Sequence, residues 1–105
     1  MVEASGPHED GPLYLIVTIR PIMERADEAR AALAGIVAGT RQEPGNIFME
    51  LVVDEDDPTT WYMLEKFHSR PDWDHHMTLS HVIDGNIVLG PLLRQPSELR
   101  FYTAR

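Results

Sequence analysis

Apolar residues recur along this chain with two different periods, and the switches between them divide it into six elements. Leu13–Arg20, LYLIVTIR, is dense in β-branched and aromatic residues and predicts a strand. Its faces are Leu13, Leu15, Val17 and Ile19 on one side and Tyr14, Ile16, Thr18 and Arg20 on the other. Pro21 ends it. From Glu24 to Gln42 the period lengthens: Ala26, Ala29, Leu33, Ile36, Val37 and Thr40 fall at three- and four-residue steps, predicting a helix with a shallow, alanine-rich stripe. Acidic Glu24, Asp27 and Glu28 in its first turns and Arg41 in its last suit the helix dipole. Pro44-Gly45 stops it. Asn46–Asp54 and Thr59–His68 read as two further strands, joined by an acidic loop, DEDDP, that lacks the glycine and distal glutamate of a calcium-binding EF-hand. A helix over Arg70–Thr78 follows, and Ser80 opens another short helical piece carrying Val82, Ile83 and Ile87. Gly90-Pro91 breaks it, and Glu98–Thr103 closes the chain as a fourth strand.

The order is β-α-β-β-α-β with the second helix in two pieces, which predicts an α+β, ferredoxin-like split βαβ fold. Such a fold is a four-stranded antiparallel sheet with helices on one face. Yet the strands carry apolar side chains on both faces. Tyr14, Ile16, Ile47, Met49, Leu51, Tyr62 and Leu64 are expected to form an uncovered patch. A two-fold homodimer that buries this patch against its own copy is the expected remedy.

The densest chemistry lies in Trp61–Val82, WYMLEKFHSRPDWDHHMTLSHV, which holds both tryptophans and four of the five histidines. Alternation puts Trp61, Met63, Glu65 and Phe67 on one strand face. Ser69-Arg70-Pro71-Asp72 is a capping box that starts the next helix, so Trp73, His76 and Met77 share a helix face able to fold back over the strand. A carboxylate beneath a helix bearing a histidine and a tryptophan is the best candidate site. His76 could move a proton, or be a buried histidine satisfied by Glu65 or a carbonyl. His81, five residues on, either reaches the pocket rim or caps a turn. Burial would raise the pKa of Glu65 unless a cation pairs with it. Trp73 could stack on a planar ligand or simply fill the core, and Asn46 could favour the turn it follows. A metal is not expected: His75 and His76 diverge by about 100° on a helix, and His76 and His81 lack the four-residue spacing of a helical metal pair.

Composition narrows the function classes. A formal charge of −8 and a single lysine, Lys66, argue against nucleic acid and anionic membranes as partners. With no cysteine there is no thiol chemistry, and a reducing, cytoplasmic location is expected. Met1–Pro12, MVEASGPHEDGP, lacks the apolar core of a signal peptide and is expected to be a disordered tail preceding one domain over 13–105.

Three segments, LIVTIRP, EPGNIFMEL and EKFHSRPDWDHHMTLSH, resemble the antibiotic biosynthesis monooxygenase (ABM) family of dimeric α/β barrels, with Glu65, Phe67, Ser69, His76 and His81 in matching places. The resemblance is nearer the quinol-monooxygenase and autoinducer-isomerase branch. Met63 and Phe67 stand where anthrone oxygenases carry Asn and Trp. Thr18, His76 and roughly Asn86 stand where haem degraders carry their triad. It implies a monooxygenase that oxidises a small aromatic, quinol-like or enolisable substrate with O2 and without metal or flavin. Glu65 and His76 would handle the proton and His81 would contact a substrate oxygen. Trp61, Met63, Phe67 and Trp73 would wall the pocket, with Asn46 and Arg20 as further substrate contacts. The alternatives are isomerisation of a small enolisable metabolite, with Arg20 near a substrate phosphate, and a non-catalytic dimeric module that binds a hydrophobic ligand.

Overall fold

Four antiparallel strands form one sheet in the order β2-β3-β1-β4, where β1 is Leu13–Ile19, β2 Asn46–Val53, β3 Trp61–Phe67 and β4 Glu98–Thr103. The structure is a computed structural model and describes residues 11–105; most of the expected tail lies outside the described residues. The helices are α1 (Ala26–Thr40), entered through a 3-10 turn at Met23–Arg25, then α2 (Arg70–His76) and α3 (Ser80–Leu89). This is the ferredoxin-like arrangement expected from the element order.

One sheet face is the core. Successive rows across it read Leu51–Met63–Val17–Leu99 and Met49–Glu65–Leu15–Phe101. Trp61, Met63, Glu65 and Phe67 are all buried, as their shared face on β3 predicts. The helical stripe also behaves as its spacing requires: Ala29, Leu33, Ile36 and Thr40 are buried against the sheet. The bidentate guanidinium of Arg41 donates to the carbonyl of Met49 at 3.1 and 2.8 Å, clamping the end of α1 onto β2.

The faces of β2 differ from the sequence reading. Unbroken alternation from Asn46 would send Ile47, Met49 and Leu51 outward. Instead Asn46 pairs with Phe67 and Phe48 with Lys66, so Ile47 is an extra residue in a β-bulge. Every later residue changes face. Met49 is buried, Leu51 packs against the core, and Phe48, Glu50 and Val52 join Tyr14, Ile16, Tyr62 and Leu64 on the outer face. The side-chain amide of Asn46 holds the bulge, donating to the carbonyls of Phe48 (3.0 Å) and Lys66 (3.4 Å).

Two glycines set the spacing between α1 and α3. A Cβ on Gly85 would overlap Ile36 Cγ1, and one on Gly39 would stand 2.6 Å from the His81 ring. Alanine favours a helix over glycine by about 1 kcal/mol, yet Gly85→Ala is expected to destabilise the chain by about 1–3 kcal/mol through overpacking. A denaturant melt showing a higher midpoint for the variant would contradict this packing.

Candidate functional site

The site is built where the two halves of the second helix turn back over the strand. Ser69 Oγ accepts the amide of Asp72 at 3.2 Å and donates to its carboxylate at 2.8 Å, starting α2 as the capping motif predicts. About two turns later His76 arrives over Phe67, with ring centroids 4.9 Å apart. The chain then breaks at Met77–Leu79, and α3 begins with His81 in its first turn, resting against Gly39 of α1.

The partner of both imidazoles is a residue to which sequence reasoning gave no role. Glu43 Oε2 lies 2.9 Å from His76 Nδ1 and 2.6 Å from His81 Nε2. An ionised carboxylate only accepts, so each ring directs an N–H at it. Glu43 sits just past α1, its amide on the carbonyl of Thr40 (3.0 Å) and its carbonyl taking the amide of Asn46 (3.1 Å). The carboxylate and His76 are nearly sealed, with side chains 7% and 4% exposed, while His81 is 28% exposed. The only signals available in the sequence were the Glu-Pro-Gly turn in a segment that carried the family resemblance, and an acid at a helix end where the dipole disfavours it.

His76 also lines a cavity of about 740 Å³ between the inner sheet face and the helices. Val17, Ile19, Leu33, Ile36, Met49, Met63, Val82, Leu89 and Leu99 make its walls apolar, and Trp73 and Met77 of the α2 side close over it. Among the described residues, Thr40 Oγ1 is the one fully buried side-chain nitrogen or oxygen without a partner. His76 Nε2, which makes no hydrogen bond, is therefore open to space rather than sealed in protein.

Glu65 is the other ionisable group on the wall. It stands between Met49 and Leu15 in its row, with Met63 and Phe67 on the same face of β3. Burial first, and the charge of Glu43 second, push its carboxyl up to about 8. It is therefore mostly a neutral carboxylic acid at neutral pH, able to donate a hydrogen bond.

The remaining candidates divide. Met63 and Trp73 line the cavity. Trp61 lies outside it, buried in the core with Nε1 on the carbonyl of Pro58 (3.1 Å) and Arg30 5.0 Å over its ring. Phe67 packs with Leu13 and Leu15 behind His76 rather than on the wall. Asn46 is occupied by the bulge. His81 touches Glu43 from behind and does not line the cavity. Arg20 faces the other side of the sheet, 3.3 Å from Glu98, because β1 alternation carries it there. The cation on the cavity is Arg94, whose guanidinium donates to the carbonyls of Pro21 (3.1 Å) and Thr59 (2.9 Å). Glu65 and His76 share the cavity, but the hydrogen-bond partner of His76 is Glu43, not Glu65.

An imidazole held by a buried carboxylate and a carboxyl kept neutral by burial thus share one apolar cavity on a ferredoxin-like sheet. The model of the family described as antibiotic biosynthesis monooxygenase matches residues 12–85, and the chain belongs to that family. A solved protein of Mycobacterium tuberculosis is similar at 23% identity and TM-score 0.86, over 90% of this chain and 96% of that one. A Pseudomonas aeruginosa protein is 26% identical, with TM-score 0.79 over 93% of this chain and 98% of its own. A structure described as an antibiotic biosynthesis monooxygenase is 25% identical, with TM-score 0.83 over 89% and 98%. No protein of curated function matches the sequence. Among the described residues, no helix is long and apolar enough to cross a membrane.

The state of Glu65 sets a pH dependence of stability. Between the ordinary carboxylate value, 4.5, and about 8 the native chain holds a proton that the unfolded chain has lost. Stability from this group is fully present below that window and is lost as the pH rises through it. Glu65→Gln cannot ionise, so its melting temperature relative to wild type should climb from about pH 5 to about pH 9, by a free energy on the order of a few kcal/mol. A difference that stays flat across that range would contradict the buried, unpaired carboxyl.

Proposed function

We propose that this protein is a homodimeric, cofactor-independent monooxygenase acting on a small aromatic, quinol-like or enolisable substrate, from the quinol-monooxygenase and autoinducer-isomerase side of its family. The observation that carries the reading is the pairing of His76 Nδ1 with buried Glu43. With that proton fixed, Nε2 keeps the ring's lone pair and is the base available to a ligand in the cavity. The carboxylate also stabilises the imidazolium that forms, in the manner of an acid–histidine pair.

In this reading His76 Nε2 removes a proton from an activated CH2 of the substrate. Neutral Glu65 donates a hydrogen bond to the oxygen that becomes an enolate or phenolate. The apolar wall keeps water from competing for that charge. The carbanion transfers one electron to O2, and the resulting pair combines to form a C–O bond. Protonation from the imidazolium gives a hydroperoxide, which loses water to leave a ketone. The sum is CH2 plus O2 giving C=O plus H2O, and no outside reductant is required.

His76→Ala should lower kcat/KM for an anthrone or quinol substrate by about 10²–10⁴-fold, read as O2 uptake together with product. Activity should fall above about pH 8 as Glu65 loses its proton. That alkaline limb should vanish in Glu65→Gln, whose amide still donates. The other ionisable groups around the cavity are Glu43, His76 and Arg94. Turnover without O2 uptake would instead support isomerisation, which the same base and acid favour. A ligand bound without turnover, with His76→Ala changing only stability, would support a binding module.

The outer sheet face supports the homodimer. Phe48, Tyr14 and Tyr102 lie in one row with Lys66, and Leu64, Ile16, Val52 and Tyr62 lie in the next two. Among the described residues no helix covers them. Leu64→Asp should convert the protein to a folded monomer, seen as a halved mass in light scattering. An unchanged mass would place the interface elsewhere.

A further inference from the structure

We propose that Glu43, His76 and His81 form a binding site for one divalent first-row transition-metal ion. The proposal concerns the Nδ1 side of His76; a neutral imidazole that gives Nδ1 to an ion carries its proton on Nε2, so the base role suggested for Nε2 belongs to the metal-free chain.

Three donor atoms, a carboxylate oxygen, His76 Nδ1 and His81 Nε2, all lie within 4.8 Å of one another. They come from three separate places in the fold: the turn after α1, the end of α2 and the first turn of α3. The sequence spacing of the histidines argues against a metal only if both ride one continuous helix. The break at Met77–Leu79 removes that condition, and the rings converge at 63° with centroids 6.3 Å apart. Ligands about 2.0–2.2 Å from a tetrahedral ion stand about 3.3 Å from each other. The two contacts to Oε2, 2.9 and 2.6 Å, must lengthen by about half an ångström or more, and donor atoms spread over as much as 4.8 Å must draw in toward that separation. Glu43 has the side-chain torsions to do this while its backbone stays on Thr40 and Asn46.

The electrostatics favour an ion. Among the described residues no lysine or arginine pairs with Glu43; its ion-pair partners are the two imidazoles. With the carboxylate nearly sealed and no fixed cation on it among the described residues, a bound cation would offset the cost of burying it. Two nitrogens and one oxygen of intermediate softness suit zinc, cobalt, nickel or iron rather than calcium or magnesium. Three protein ligands leave a coordination position for water, and the exposed edge of His81 gives the route from solvent.

The test is a Co²⁺ titration of the untagged, chelator-treated full chain, followed by visible absorption and repeated in competition with Zn²⁺. Expected is saturable uptake of one ion per chain, with ligand-field bands of a four- or five-coordinate site that Zn²⁺ abolishes. His81→Ala and Glu43→Gln should each weaken binding by at least about 100-fold, beyond the usual effect of losing an outer-shell partner. His75→Ala, on the exposed side of α2, should bind as wild type does. His81 is part-exposed, so its alanine variant decides the matter even where Glu43→Gln compromises folding. Absence of saturable uptake, or uptake that survives His81→Ala, overturns the proposal. The base role of Nε2 is judged separately, by turnover of the chelator-treated, metal-free chain, where Nδ1 again carries the proton.

Discussion

A single carboxylate oxygen, Glu43 Oε2, accepts N–H groups from imidazoles on two different helices, and the architecture of the site follows from keeping that oxygen dry and in reach. Neither helix piece is long enough to hold its own orientation, since α2 has seven residues and α3 ten. Short helices gain most of their stability from packing rather than propensity. The shared acceptor ties both pieces to the C-terminal end of α1, which Arg41 in turn ties to β2. Removing the acid would leave the buried imidazole of His76 without its partner, a larger loss than the hydrogen bond itself contributes, while the part-exposed ring of His81 could turn to water.

The two glutamates of the interior have opposite environments and, with them, opposite chemistry. Glu43 has an imidazole nitrogen of His76 and another of His81 within hydrogen-bond distance. Glu65, framed by Met49 and Leu15, has none, and the anion nearby makes its own ionisation harder.

The fold was legible in the sequence because its elements are locally consistent: the periods switch cleanly, and Ser69, Pro44-Gly45 and Gly90-Pro91 mark the boundaries. Glu65, His76, Met63 and Trp73 were found for the same reason, since alternation and helical spacing place them on one cavity. What failed was long-range. The bulge at Ile47 adds one residue and reverses the faces of β2, and no local pattern distinguishes that from an unbroken strand. Glu43 is 33 residues from His76 and 38 from His81, so only tertiary structure pairs them. Arg20 was misplaced for a simpler reason: its strand parity, even with Tyr14 and Ile16, already pointed away from the core.

The glycine notches on α1 and α3 have a bearing on how a ligand reaches the interior. With Ile36 seated on Gly85 and His81 seated on Gly39, the two helices meet backbone to side chain and have no slack between them. The roof of the cavity on that side is in effect a fixed wall. The opposite side is different: Leu99 and Phe101 of β4 are 43% and 38% exposed, with Trp73 edge-on to Phe101 at 4.9 Å. The less enclosed side of the cavity is therefore the β4 edge, where the Trp73–Phe101 pair, with Arg70 5.1 and 4.5 Å over its two rings, stands between the interior and solvent.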